Sequence, residues 1–224
     1  VVDKTYTAGL WSAGIYTVGF TESTVPHHPP TETDPGEPVS TFTFPSEDVL
    51  RARQKLVLDH FHDEVRQEWD DVLSTFPHPH YELIASMTVH DGDGEVRGYY
   101  DDTRVAFPDQ NHEIIALRHS ADAVIVEFWL LGTHLGPLGK IPPTGGKHRT
   151  RMTAYFIFDE NENLVTERVY FDQLSILRQL FAGLDKKNPR DLLTLGRAVA
   201  GVLSAAGGEP DPRLLDTTPP DLTL

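Results

Sequence analysis

The chain has 224 residues, 39% of them apolar and 24% charged, which is enough for one large or two small domains with a sizeable core. A net charge of −15 argues against nucleic acid and anionic membranes as partners, and the lack of cysteine excludes disulfides, thiolate nucleophiles and thiolate-held metals. No apolar run reaches the ~20 residues of a membrane span and the first residues lack the plan of a signal peptide, so a soluble cytoplasmic protein is expected.

Residues 1–45 read as an extended N-terminal arm. Three short units end in Trp11, Tyr16 and Phe20, and then give way to proline-rich linker around Pro29-Pro30 and Asp34-Pro35-Gly36. A helix is expected from Ser46, a suitable N-cap. Glu47 and Asp48 follow it, and Val57, Phe61, Val65, Trp69 and Val72 recur at three-to-four spacing up to Phe76-Pro77. Tyr81–His90 suits a strand, Asp91–Gly94 a turn, and Glu95–Phe107 a second helix ended by Pro108. Strands are expected near 112–119, 122–134, 150–159 and 164–171, and helices near 173–182 and 190–206. Helices first and antiparallel-type strands afterwards indicate α+β. The division expected is an arm (1–45), a domain (46–182) and a C-terminal helical extension with a tail (183–224).

Between two apolar strands lies Gly132-Thr133-His134-Leu135-Gly136-Pro137-Leu138-Gly139-Lys140-Ile141-Pro142-Pro143-Thr144, a connection shaped by glycine and proline. By alternation Val124, Val126, Phe128, Leu130 and His134 share one strand face, so an apolar wall leads to a single imidazole. Histidine changes protonation near neutral pH and can donate to or accept from a ligand oxygen. Other histidines do not converge. His60 and His62 are two apart on a helix and diverge, His78 and His80 lack a third ligand, and His27-His28 sits in linker, so no metal is expected.

Phe107-Pro108-Asp109, Gly132-Thr133-His134-Leu135-Gly136 with Ile141-Pro142-Pro143-Thr144-Gly145, and Tyr170-Phe171-Asp172 before Leu177-Arg178-Gln179-Leu180 occur in an order and spacing that resemble the SnoaL-like polyketide and ester cyclase family. The resemblance implies a nuclear-transport-factor-2-like cone, in which a mixed, mainly antiparallel curved sheet wraps a long N-terminal helix around an apolar pocket. It also implies cofactor-independent acid/base chemistry on a hydrophobic oxygenated small molecule, and a homodimer. The family's pocket histidine aligns with His134, and its acid/base aspartate with Val169.

Two carboxylates stand near that lost position. Asp172 matches an aspartate common in the broader family, and it also fits as the N-cap of the next helix. Glu167 is two residues from Val169 and shares its face, but reads as a solvated charge beside Arg168. The expected catalytic pair is therefore His134 and Asp172 in one cavity. His90, Tyr100, Phe107, Asp109, Phe128, Trp129 and Tyr170 are ligand-binding candidates, although Trp129 shares a face with Glu127 and so also suits a subunit contact. A non-catalytic binding protein of the same fold is the competing expectation. Whether a carboxylate enters the cavity separates the two.

Overall fold

A computed structural model describes residues 44–215. Helix α1 spans Glu47–Arg66, and Ser46 caps it by accepting from the Val49 N–H at 3.4 Å. The apolar spacing runs on to Val72, but the helix ends at Gln67. A left-handed φ of 59° there lets the Gln67 and Glu68 N–H groups reach back to the carbonyls of Glu64 and Asp63. Helix α2 (Trp69–Ser74) follows, with Trp69 stacked on Tyr100 at a ring separation of 4.7 Å.

The segment 81–90 is a hairpin, not one strand. Its arms are β1 (His80–Leu83) and β2 (Thr88–Asp91), joined by a turn in which Met87 adopts a φ of 52°. Gly92, at a φ of 83°, leads into α3 (Asp93–Ala106). Strands β3 (Asn111–His119), β4 (Ala123–Thr133), β5 (Lys147–Phe158) and β6 (Leu164–Phe171) form an antiparallel meander. The hairpin joins it through parallel pairing of β1 with β6, giving the order β2-β1-β6-β5-β4-β3. This is the curved, mixed, mainly antiparallel α+β sheet that the sequence led us to expect.

The inner sheet face follows the alternation. Val124, Val126 and Phe128 of β4 and Met152, Ala154 and Phe156 of β5 are buried with Val57 and Phe61 of α1 in one core cluster. Phe61 meets Phe128 edge-on at 5.0 Å. A second, smaller cluster joins Ala106 and Phe107 to Leu180 of α4 (Gln173–Phe181). Where β6 ends, Gln179 of α4 continues its role at the edge of β5 by accepting from the Arg149 N–H at 2.9 Å. Helix α5 (Pro189–Ala206) is capped by Asn188 and carries its proline at the first turn. No described helix is long and apolar enough to cross a membrane.

Candidate active site

The inner face of α1 carries Arg53, His60 and Glu64 among Val57 and Phe61, so a helix whose apolar stripe faces the sheet also brings polar groups into the interior. Arg53 is accounted for structurally by Glu162 at 2.6 Å and the Ala121 carbonyl at 2.8 Å. The other two belong to a polar cluster at a small cavity of ≈ 30 Å³ lined by Glu64, Tyr81, Tyr100, Phe128, Glu167 and Val169, among others.

The hydrogen bonds around His60 set its tautomer. Thr75 Oγ1 donates to the Val72 carbonyl at 2.6 Å, so toward His60 Nδ1, 3.0 Å away, it acts as acceptor. Nδ1 therefore carries the proton, and Nε2 accepts from the Tyr81 hydroxyl at 2.9 Å. Tyr81 in turn accepts from Tyr100, forming a directed chain from Tyr100 through Tyr81 and His60 to Thr75. Burial, and then the nearby carboxylates, push both phenols well above the ordinary tyrosine range, so they remain donors.

Glu167 completes the cluster. It is only 6% exposed, and its Oε2 lies 3.4 Å from His60 Nε2. That oxygen has no hydrogen-bond partner among the described residues. The parallel register of β1 and β6 sets Tyr81 opposite Glu167, and alternation along β6 puts Glu167 and Val169 on the same inner face. The reading of Glu167 as a solvated charge is thus overturned. Arg168, its neighbour, turns outward and pairs with Glu82 instead.

Glu64, on the opposite wall, is compensated. Gln110 Nε2 donates to it at 3.3 Å, and His112 and Arg104 stand 3.6 and 3.7 Å away. Burial lowers the pKa of His112 more than Glu64 raises it, so the imidazole is held neutral. The cavity therefore has one braced carboxylate and one, Glu167, whose buried Oε2 lacks a hydrogen-bond partner among the described residues.

His134 lies elsewhere. It is fully buried just past the end of β4, with Nδ1 3.1 Å from Thr144 Oγ1 and its ring against Phe107. His148 of β5 touches the same phenylalanine edge-on at 4.9 Å. Burial lowers both imidazoles, His148 to about 4. Asp172 is exposed and caps α4, accepting from the Ser175 N–H at 3.0 Å. Neither His134 nor Asp172 lines the cavity, so the expected pair is not brought together there. The Gly-Thr-His-Leu-Gly segment instead seals the end of α3. The N–H groups of Leu135 and Gly136 both donate to the Ala106 carbonyl, and a Cβ on Gly136 would fall 2.0 Å from the Val105 oxygen.

Of the ligand-binding candidates, Tyr100 and Phe128 line the cavity. Phe107 belongs to the second cluster, and Asp109 accepts from the Thr133 N–H and Oγ1 at 2.7 and 2.6 Å. His90 stacks on Tyr99. Trp129 points outward beneath Arg149 and Arg151, and Tyr170 is exposed against Tyr155. His78 and His80 both reach Asp91 at 2.9 Å, yet among the described residues no group of three or more ligating side chains is arranged for a metal ion. His27 and His28 lie outside the described residues. The signal missed in the sequence was polar residues set at helical spacing into an apolar face, namely His60 and Glu64 beside Val57 and Phe61.

Residues 56–180 match the family model of the SnoaL-like polyketide cyclases. No curated protein matches the sequence. Among solved structures, one assigned as a SnoaL-like polyketide cyclase from Jannaschia sp. CCS1 is 18% identical, with a TM-score of 0.53 over 65% of this chain and 97% of that one. Another with the same assignment, from Shewanella denitrificans OS-217, is 13% identical with a TM-score of 0.51, covering 58% and 98%. A nuclear-transport-factor-2-like protein of unknown function from Burkholderia pseudomallei K96243 is 15% identical with a TM-score of 0.50, covering 57% and 96%. At these identities the structures establish the fold alone.

Proposed function

The chain belongs to the SnoaL-like polyketide cyclase family, and from that premise we propose a cofactor-independent enzyme that moves protons on a hydrophobic, oxygenated small molecule with Glu167 as its base. One observation carries this reading: a buried carboxylate oxygen without a donor faces a cavity beside a histidine and two tyrosines. A carboxylate left unpaired in the interior costs several kcal/mol, roughly what removing the partner of a buried ion pair costs, and function is a reason for a fold to retain it.

In this reading Glu167 removes a proton from a carbon flanked by carbonyl groups, and the Tyr100 hydroxyl turns from Tyr81 to the bound molecule and donates to the enolate oxygen. The enolate carbon closes on a second carbonyl of the same molecule, and the resulting alkoxide takes the proton back from Glu167. Positioned acid/base groups contribute roughly 10²–10⁴-fold and an oxyanion donor a comparable factor. Isomerisation or hydrolysis would use the same base. Asp172 then serves the scaffold as the cap of α4, and His134, whose Nδ1 meets Thr144 while its buried Nε2 has no partner among the described residues, takes no step in this reading.

A binding protein without catalysis is the second reading, favoured by valine at position 169, where the family's acid/base aspartate aligns; the interior cavity in either case measures ≈ 30 Å³. That space suits about one water, whereas ligand sites of drug-sized molecules occupy roughly 300–1,000 Å³. Turnover therefore requires the wall to open. We also propose a homodimer through the outer sheet face bearing Ile125, Trp129 and Leu131. The test of the enzyme reading is deuterium exchange into aromatic ketones and β-keto esters. Exchange above the buffer rate that Glu167→Gln abolishes supports catalysis, and exchange at the buffer rate favours binding.

A further inference from the structure

The charge of this acidic chain is unevenly placed. The connection 134–147 carries Lys140 and Lys147 and no acidic residue, while 173–206 carries five Lys and Arg against Asp185 and Asp191. A protein of net charge −15 thus gathers an excess of positive charge in the β4–β5 connection and in the segment 173–206 that includes α5.

Helix α5 lies outside the family match, and it meets the connection closely. A Cβ on Gly201 would fall 2.8 Å from the Lys140 carbonyl oxygen and 3.0 Å from Ile141 Cγ1. Beside this contact runs a groove of about 380 Å³, open to solvent, with Pro137, Ile141, Pro142 and Ala200 as an apolar floor. Lys140 and Arg197 also line it. Lys140 Nζ donates to Ser204 Oγ at 2.8 Å, so its near partner is neutral. Elsewhere arginines are neutralised, as with Arg149 by Glu113 and Arg151 by Glu127. Apolar walls lined together with two cations make an amphipathic anion the complementary occupant.

We propose that this groove is a second binding site, distinct from the interior cavity, for a small apolar molecule that ends in a carboxylate. The chain lies on the floor, and the carboxylate accepts from Lys140 and Arg197. The site does not depend on the acid/base reading of Glu167.

The experiment is a ¹H–¹⁵N titration of the full chain with decanoate, below its micelle concentration, and separately with decanol. Saturable shifts confined to residues 137–142 and 197–204 are expected, with decanol at least tenfold weaker. A Lys140→Gln/Arg197→Gln variant should bind decanoate at least tenfold more weakly. Lys186→Gln/Lys187→Gln, which leaves the groove intact, should bind as wild type. No saturable shift, shifts centred on Tyr81 and Glu167, equal binding of decanol, or equal weakening by both charge variants would overturn the assignment.

Discussion

Glu167 Oε2 stands 3.4 Å from His60 Nε2 across the inner wall of the cone, while that same nitrogen accepts from Tyr81 at 2.9 Å. With Nδ1 protonated toward Thr75, a neutral His60 offers Glu167 no donor. The pair is thus one proton short of a complete network, which is the shortfall that the proposed acid/base role would use.

Replacing Glu167 with Gln removes the charge while keeping the shape. The fold should be retained or stabilised by ~1–3 kcal/mol, since an unpaired buried carboxylate is removed. Urea midpoints of the two proteins check this, and a marked loss of stability would mean that Glu167 is neutralised by a partner.

His60→Leu should be destabilising. It deprives Thr75 and Tyr81 of their partner together, and loss of a buried network of this kind costs ~2–4 kcal/mol. Thr75→Val, which removes only the outer link, should cost ~1 kcal/mol. Equal effects would contradict the directed chain.

Gly136→Ala places a methyl group against the Val105 carbonyl, so the connection must shift and the seal on α3 loosens. A loss of ~2 kcal/mol or more is expected, the range of a forced overpacking, and it is read by thermal unfolding. Gly139→Ser meets no neighbour but adopts a positive φ of 53°, and should cost ~1 kcal/mol.

Buried His148 titrates near 4, against 6.5 when unfolded. Between those values the unfolded chain binds more protons, so stability is fully present above pH 6.5 and is lost as pH falls toward 4. His148 supplies at most ~3 kcal/mol of this. The difference in urea midpoint between wild type and His148→Gln should therefore narrow on acidification from pH 7 to 4.5.

The elements were legible because their signals are local. Ser46 caps α1, the alternation from Val124 to His134 marks the inner face of β4, and Asp172 fits an N-cap. Two boundaries were not, because Gln67 and Met87 adopt left-handed conformations that their residue types do not announce. The site was less legible still. It depends on the parallel pairing of β1 with β6, which joins Tyr81 to Glu167 across 86 positions of chain, and on His60 of α1 reaching both of them. The family motif drew attention to His134, whereas its glycines and amides close the end of α3.

The most direct test compares deuterium exchange at the acidic carbons of aromatic ketones and β-keto esters with wild type, Glu167→Gln, His134→Ala and Asp172→Asn. The account predicts exchange above the buffer rate with wild type, a loss of at least ~100-fold in Glu167→Gln, and rates near wild type in Asp172→Asn. Wild-type exchange at the buffer rate, or full activity in Glu167→Gln with loss in Asp172→Asn, would contradict it.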